Sequence, residues 1–162
     1  MSEPSETHAA PADEDVFRPL YPALRRFAAV VAPLDTEPED LLHDALVATL
    51  RSHRFADLDD PAAYLRRVII NLSHNQRRRA GVRRRALRLL AASQPEVAED
   101  YPSDLSQLDW LSPQQRAVLY LSEVEGYRFA EIAEMVGCSE PAARMSASRA
   151  RRRLRRALAE GV

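Results

Sequence analysis

The stretch from Phe129 to Leu158 constrains this chain most, because it predicts two helices joined by a tight turn. Gly137 supplies the permissive backbone that a sharp reversal needs. Ser139 is a suitable N-cap for the second helix, and Pro141 is tolerated in that helix's first turn. Alanines and leucines recur three and four residues apart along the second helix, as in one buried stripe. The stretch therefore predicts a helix-turn-helix unit, whose second helix fits the DNA major groove.

Positive charge is concentrated on the second helix of this unit. From Arg144 to the C-terminus the chain holds seven arginines and one acid, Glu160. A basic amphipathic helix can simply present a solvated face, but this imbalance favours nucleic acid as the partner.

Charge is segregated along the whole chain, although the formal net charge is only −1. Residues 61–94 contain nine arginines and no acid, whereas residues 95–110 contain five acids and no base. Two separated basic blocks predict two contacts with a polyanion, and the acidic surfaces are left for other partners.

Composition favours an all-α protein. The apolar residues are mainly Ala, Leu and Val, glycine occurs only four times in 162 residues, and strand-like alternation is missing. Cys138 is the single cysteine, so no internal disulfide can form and a reducing compartment is expected. Because the sequence shows no signal-peptide pattern and no apolar run near twenty residues, we expect a soluble, cytoplasmic protein.

The pattern divides the chain into four segments. We expect a disordered tail at residues 1–14 and a helical domain at residues 15–92. A flexible acidic linker is expected at residues 93–108, followed by the helix-turn-helix domain at residues 109–162. The predicted fold is therefore two small helical domains joined by this linker.

Apolar periodicity predicts three helices in the first domain. The first follows Tyr21, the second spans Glu37–Ser52, and the third spans Ala62–Arg79. Gly81 is expected to begin a transition, after which residues 82–92 extend as a basic helix.

Capping signals mark the starts of three helices. Thr36 and Glu39 predict a capping box before the second helix, and Asp59 or Asp60 is the candidate N-cap of the third. A further capping box is predicted to begin at Ser112, at the start of the second domain.

The ordered motifs resemble the extracytoplasmic-function (ECF) group of the sigma-70 family, which are bacterial transcription initiation factors. The first domain contributes two of the motifs and the second domain contributes four. They are EDLLHDAL at 39–46, YLRRVIIN at 64–71, LSPQQR at 111–116, EGY at 125–127, EIA at 131–133 and RAR at 149–151.

The resemblance implies core RNA polymerase as the main protein partner. A helix of the first domain would dock on the clamp helices of the polymerase β′ subunit, the β subunit would also be contacted, and an anti-sigma factor is a further expected partner. The docking residues implied by the resemblance are Asp40, Leu41, His43, Asp44 and Val47.

The resemblance also implies two contacts with promoter DNA. The first domain would capture an unpaired base of the −10 element and hold the melted strand, and the second helix of the helix-turn-helix unit would read the −35 element. The −10 set is Arg54, Phe55, Asn71, Asn75, Arg77, Arg78 and Arg79, and the −35 set is Arg144, Ser146, Ser148, Arg149 and Arg151.

The sequence departs from the family pattern in the recognition helix. Ser146 stands where a DNA-contacting arginine is common, whereas Arg144 keeps the preceding basic position. This departure indicates either an unusual −35 sequence or a greater reliance on phosphate contacts.

Two other functions are compatible with the same sequence features. A sigma-like regulator could bind polymerase or an anti-sigma factor with weakened promoter recognition. A stand-alone helix-turn-helix regulator would leave the basic block of the first domain unexplained. An enzyme is disfavoured, because no nucleophile–base set, glycine-rich phosphate loop or metal-ligand spacing stands out. We therefore expect no catalytic residue, no metal and no cofactor.

Overall fold

The computed structural model describes residues 12–90 and 110–160, and every regular element in these two ranges is helical. This confirms the all-α prediction for the described residues. The predicted linker lies outside them, as does most of the predicted N-terminal tail. The helices are α1 (Asp13–Phe17), α2 (Tyr21–Val31), α3 (Pro38–Leu50), α4 (Pro61–Leu90), α5 (Pro113–Leu119), α6 (Phe129–Val136) and α7 (Glu140–Ala159).

Helices α1 to α4, which we call the first module, enclose an apolar core. Leu24, Phe27, Leu41, Leu65 and Ile69 are each at most 1 % exposed. Leu65 and Ile69 are four residues apart, so both point inward from one side of α4. Full burial of a side chain of this size contributes about 1.5–3 kcal/mol to folding.

The N-terminal ends of α3 and α4 differ in their capping. The Asp60 carboxylate accepts a hydrogen bond from the Ala63 N–H at 2.9 Å, as expected for an N-cap. Thr36 and Glu39 match the capping-box pattern, but that prediction is wrong, because no side chain caps the start of α3. Glu39 instead accepts a hydrogen bond from Arg25 Nε at 2.6 Å. A backbone hydrogen bond and then Arg25 lower the pKa of the Glu39 carboxyl.

Helix α4 is longer than the sequence pattern predicts. It runs without interruption through Gly81 to Leu90, so the predicted transition at Gly81 is wrong. A single glycine costs a helix only about 1 kcal/mol relative to alanine, and the flanking alanine and arginine residues are good helix formers. Thirty residues of helix span roughly 45 Å.

The chain also becomes helical earlier than expected at its N-terminal end. Asp13 and Glu14, assigned to the tail, begin α1. The Asp13 carboxylate accepts a hydrogen bond from the Phe55 N–H at 2.7 Å, and the Phe17 ring stacks on the Phe55 ring at 6.0 Å. These contacts join segments about 40 residues apart, which local sequence patterns do not reveal.

Helices α5 to α7, the second module, contain the predicted helix-turn-helix. Ser112 and Gln115 form the expected capping box, with both N–H···O distances at 3.1 Å. A π-helical turn, Tyr120–Val124, continues α5. Gly137 has φ of 72°, the left-handed conformation that favours glycine, and Ser139 caps α7 through the Ala142 N–H.

The two modules share a continuous apolar core. The Phe27 ring of α2 lies 6.4 Å from the Tyr120 ring, which follows α5. The Arg116 side chain of α5 is 6 % exposed and donates hydrogen bonds to the Val31 and Ala32 carbonyls, at 2.9 and 3.1 Å. These carbonyls lie at the C-terminal end of α2, where a cation is favoured.

Two arginines of the first module, both on α4, donate hydrogen bonds to carbonyls of the second module. Arg67 donates to the Glu134 carbonyl of α6, and Arg77 donates to the Leu111 carbonyl at 2.9 Å. A Cβ on Gly137 would lie 2.9 Å from Arg67 Nε, so the glycine also makes room for this contact. The described parts of the two modules therefore form one compact body.

Candidate polymerase and nucleic-acid interfaces

One exposed face of α3 collects the residues expected to contact polymerase. Asp40, His43 and Asp44 are exposed and Val47 is partly exposed, at the spacing of a single helical face. Leu41, expected in the same set, is fully buried in the core. Its side chain packs in the core beneath α3, so Leu41 is not accessible to polymerase, which corrects its assignment as a contact residue.

Two types of site are missing from the described residues. In ranges 12–90 and 110–160, no group of three or more His, Cys, Asp and Glu side chains could hold a metal ion. Within the same ranges, no helix is long and apolar enough to cross a membrane.

The loop between α3 and α4 holds two residues expected at the −10 element. Arg54 is exposed, and its Nε lies 3.9 Å from the Asp13 carboxylate. Phe55 is only 2 % exposed and stacks on Phe17, so its ring is not accessible to an unpaired base in this arrangement. Burial of a phenylalanine ring stabilises the fold, so Phe55 is a core residue. This corrects its assignment as a base contact.

The other −10 candidates lie on α4. Asn71, Asn75, Arg78 and Arg79 are exposed, whereas Arg77 is half-buried and turned toward the second module. Residues 71, 75, 78 and 79 follow helical spacing, so their side chains form one continuous surface, which we call the α4 surface.

An open polar cleft lies beside the α4 surface. His74, Asn75, Arg77 and Arg78 line this cleft, whose volume is about 530 Å³. Burial lowers the pKa of His74, and the positive charges of Arg77 and Arg116 lower it further. His74 therefore favours its neutral form, and the arginines supply the positive charge of the cleft.

The −35 candidates line the outer side of α7. Ala143, Ala147 and Ala150 are fully buried against the rest of the second module, which turns the opposite side of the helix outward. On that side Arg144, Ser148 and Arg149 are exposed, and Ser146 and Arg151 are partly exposed. We call these five residues the α7 surface.

Glutamates hold two arginines of the α7 surface. Arg144 donates to Glu140 Oε1 from Nε at 3.0 Å and from Nη2 at 2.6 Å. Arg151 donates to Glu123 Oε1 from Nε at 3.1 Å and also from Nη2. The hydrogen bond from Arg151 lowers the pKa of the Glu123 carboxyl.

A second cleft, near 530 Å³, brings these pairs together with Arg128 and Phe129 at the N-terminal end of α6. The Arg144 guanidinium lies over the Phe129 ring, 4.9 Å from its centroid. The sequence pattern did not single out Glu123, Phe129 or Glu140. The four-residue spacing of Glu140 and Arg144 is a signal that could have identified that pair. Glu123 and Arg151 are 28 residues apart and give no such signal.

An apolar groove of about 520 Å³ runs along α5 and α7. Val124 and Leu158 at this groove are 70 % and 72 % exposed. Exposed apolar side chains that share a groove indicate a protein-binding surface. The aliphatic residues that line it are Val30, Leu111, Leu119, Val124, Leu154 and Leu158.

Comparison with known proteins places the chain in a family. The family described as Sigma-70 region 2 matches residues 16–84, and the family described as Sigma-70, region 4 matches residues 105–154. The RNA polymerase sigma factor CarQ of Myxococcus xanthus is 30 % identical over 164 residues, which cover 94 % of this chain and 92 % of CarQ. The chain therefore belongs to the sigma-70 family, in its extracytoplasmic-function group.

A solved structure shares the fold. The sigma factor RpoE of Bartonella quintana, crystallised in complex with the anti-sigma factor NepR, superposes with a TM-score of 0.59 at 24 % identity. The match covers 92 % of this chain and 98 % of RpoE. It confirms the fold of a two-domain helical sigma factor.

Proposed function

We propose that this protein is a promoter-specificity subunit of bacterial RNA polymerase. It binds the core enzyme, recognises −35 and −10 elements and directs transcription initiation, while nucleotidyl transfer belongs to the polymerase. The observation that carries this proposal is the presence of two exposed basic surfaces, one in each sigma-family region. A cytoplasmic location follows from this role, because the bacterial chromosome is transcribed there.

The acidic face of α3 is the proposed contact with the β′ clamp helices. Asp44 is exposed, so Asp44→Arg should reverse charge on this face without disturbing the core. We expect at least a tenfold loss of association with core polymerase in co-purification or titration, about 1.4 kcal/mol. Asp15→Arg makes the same charge change on exposed α1 and should bind normally. Unchanged binding by the Asp44 variant would reject this docking face.

The apolar groove along α5 and α7 is the proposed contact with the polymerase β subunit. Its exposed Val124 and Leu158 would be covered by an apolar segment of that subunit, which gains free energy from removing both from water. The two modules would then hold different polymerase subunits through different chemistry, charge at α3 and apolar burial at the groove.

The two basic surfaces are the proposed DNA contacts. On the α4 surface, Asn71 and Asn75 offer amides that hydrogen-bond base edges, and Arg78 and Arg79 offer charge to phosphates. The α7 surface would enter the major groove of the −35 element, and this proposal is supported by the position of α7 as the second helix of the helix-turn-helix.

The compact arrangement must open for both elements to be read together. Asn75 lies on α4 between Arg67 and Arg77, which both contact the second module, so the α4 surface lies beside that module. Promoter elements about two duplex turns apart are separated by about 68 Å. We propose that polymerase binding separates the modules and breaks the contacts made by Arg116, Arg67 and Arg77.

An anti-sigma factor is the proposed second protein partner. The ECF resemblance implies such a partner, and RpoE, which shares this fold, was solved in complex with NepR. Such a partner would bind and stabilise the compact arrangement of the two modules.

Run-off transcription tests the proposed function. Purified protein and core polymerase are combined on fragmented genomic DNA of the source organism, and the 5′ ends of the transcripts are sequenced. New starts that share paired upstream elements support the proposal. Binding to core polymerase without dependent transcripts would favour a sigma-like regulator. Tight, specific duplex binding without polymerase would favour a stand-alone regulator.

A further inference from the structure

Arg144 makes two contacts within the protein that favour one orientation of its side chain. Two of its N–H groups point at Glu140 Oε1, and its guanidinium lies over the Phe129 ring. A free arginine side chain loses about 2 kcal/mol of rotamer entropy when it is fixed. The two contacts offset part of that cost in the free protein, while the side chain remains 61 % exposed.

The contact with Glu140 uses one side of the guanidinium only. An arginine carries five N–H donors, one on Nε and two on each terminal nitrogen. Glu140 engages Nε and Nη2, which form the side edge. The end edge, formed by Nη1 and the second N–H of Nη2, makes no hydrogen bond within residues 12–90 and 110–160 and presents two parallel donors.

Two parallel donors match the edge of one base in the major groove. Guanine presents the acceptors N7 and O6 there, and arginine binds both at once. Arg144 also lies in the first turns of α7, and it is the N-terminal part of a recognition helix that reaches base edges.

We propose that Arg144 reads a guanine of the −35 element through its Nη1–Nη2 edge, and that Glu140 and Phe129 are the positioning residues that make this reading selective. The inference deepens the proposed function and rests on it. Ser146 stands where a DNA-contacting arginine is common. Base selection would then depend on the neighbouring Arg144, whose orientation is set by Glu140 and Phe129.

Arg151 provides an internal comparison. Its pairing with Glu123 has the same side-on form, but Arg151 lies two turns further along α7, and no aromatic ring is found beneath it among the described contacts. Replacing Glu123 with alanine removes the same negative charge from the cleft as replacing Glu140 does. It leaves the contacts of Arg144 with Glu140 and Phe129 in place.

The charge of Glu140 has a separate, opposite effect. A carboxylate beside the DNA repels phosphate, so Glu140→Ala should strengthen binding to any duplex while it weakens the preference for guanine. A residue that merely stabilised α7 would not change base preference at one position. Glu140→Gln keeps an acceptor oxygen for both N–H groups and should preserve the guanine preference.

The test uses the full chain with core polymerase on a promoter library in which the −35 element is randomised and the −10 element is retained. Transcribed templates are sequenced for the wild type and for Arg144→Ala, Glu140→Ala, Glu140→Gln and Glu123→Ala. We expect the wild type to select guanine at one position that Arg144→Ala leaves unselected. Glu140→Ala should lower that preference about tenfold, within the discrimination of a bidentate contact, whereas the other two variants should retain it.

Different results reject different parts of the account. If the wild type selects an upstream element but Arg144→Ala leaves every base preference unchanged, or removes a preference other than guanine, the guanine reading is wrong. If Glu140→Ala behaves like Glu123→Ala, Glu140 does not position Arg144. If the wild type supports no transcript from any template, the proposed function fails and this inference falls with it. Circular dichroism of each variant confirms that its helices are intact.

Discussion

The α4 surface and the α7 surface are both rich in arginine, but their arginines are held differently. On α7, Arg144 and Arg151 are each bonded to a glutamate. Among the described residues, no ion pair joins Arg78 or Arg79 of α4 to a carboxylate. The difference teaches that arginine content alone does not define the type of DNA contact. Exposed arginines without carboxylate partners supply charge, whereas arginines with fixed orientation can select a base.

A third group of arginines joins the two modules that carry these surfaces. Arg116 is nearly fully buried and binds the end of α2, so it acts within the protein rather than on DNA. His74 lies in the cleft beside the α4 surface, next to Arg77 and Arg78.

Arg116→Ala should separate the modules. It removes two charge-assisted hydrogen bonds to the Val31 and Ala32 carbonyls and leaves a cavity where the guanidinium was buried. We expect a loss of about 2–4 kcal/mol in the free energy of the compact state, with an increased radius of gyration in small-angle scattering. Arg116→Lys keeps the charge and should have an intermediate effect. A compact Arg116→Ala protein of normal stability would show that this arginine does not hold the modules together.

The double substitution Arg78→Ala and Arg79→Ala should reduce charge-dependent promoter binding. Loss of two phosphate contacts should weaken binding of the polymerase complex on the order of tenfold at low salt. The slope of log K against log salt should also become shallower by roughly 1.4–1.8. The measurement is promoter binding across a salt series. Arg18→Ala with Arg25→Ala removes two charges elsewhere on the first module and should leave the slope unchanged; equal slopes for both double variants would reject the α4 surface as a phosphate contact.

His74→Asn should have the smallest effect, and only at acidic pH. Burial and nearby arginines lower the pKa of His74 below its usual value of 6.5. Protons then bind the unfolded chain more readily than the folded one. The stability that neutral His74 contributes is present above about pH 6.5 and is lost as pH falls through the folded pKa. The urea midpoint should therefore fall less between pH 7.5 and 5.5 in the variant. An identical fall in both proteins would exclude His74 as a source of this pH dependence.

Local patterns predicted the elements that depend on neighbouring residues. The caps at Asp60, Ser112 and Ser139 and the left-handed turn at Gly137 all follow from residues a few positions apart. Gly81 misled the helix prediction, because the preferences of its neighbours outweighed the cost of one glycine.

The site residues were less predictable where long-range contacts decide the outcome. Phe55 was expected to meet a base, but a stacking partner in α1 keeps its ring in the core. Arg116 belongs to a recognised motif, but its bonds to carbonyls 84 and 85 residues away could not be predicted from the sequence. The same holds for Glu123 and Arg151. Sequence therefore located the two basic surfaces, and the structure shows which of their arginines are bonded to a glutamate.

The most direct test of the central claim, that two surfaces on separate modules read two elements at a fixed separation, is to change the spacing between those elements. Transcription by the polymerase complex is measured on a mapped promoter and on derivatives with about 5 base pairs, half a duplex turn, inserted between the elements. We predict that transcription falls to background on the half-turn insertion, although both elements keep their sequences. Undiminished transcription at the altered spacing would show that a single contact suffices and would contradict the account.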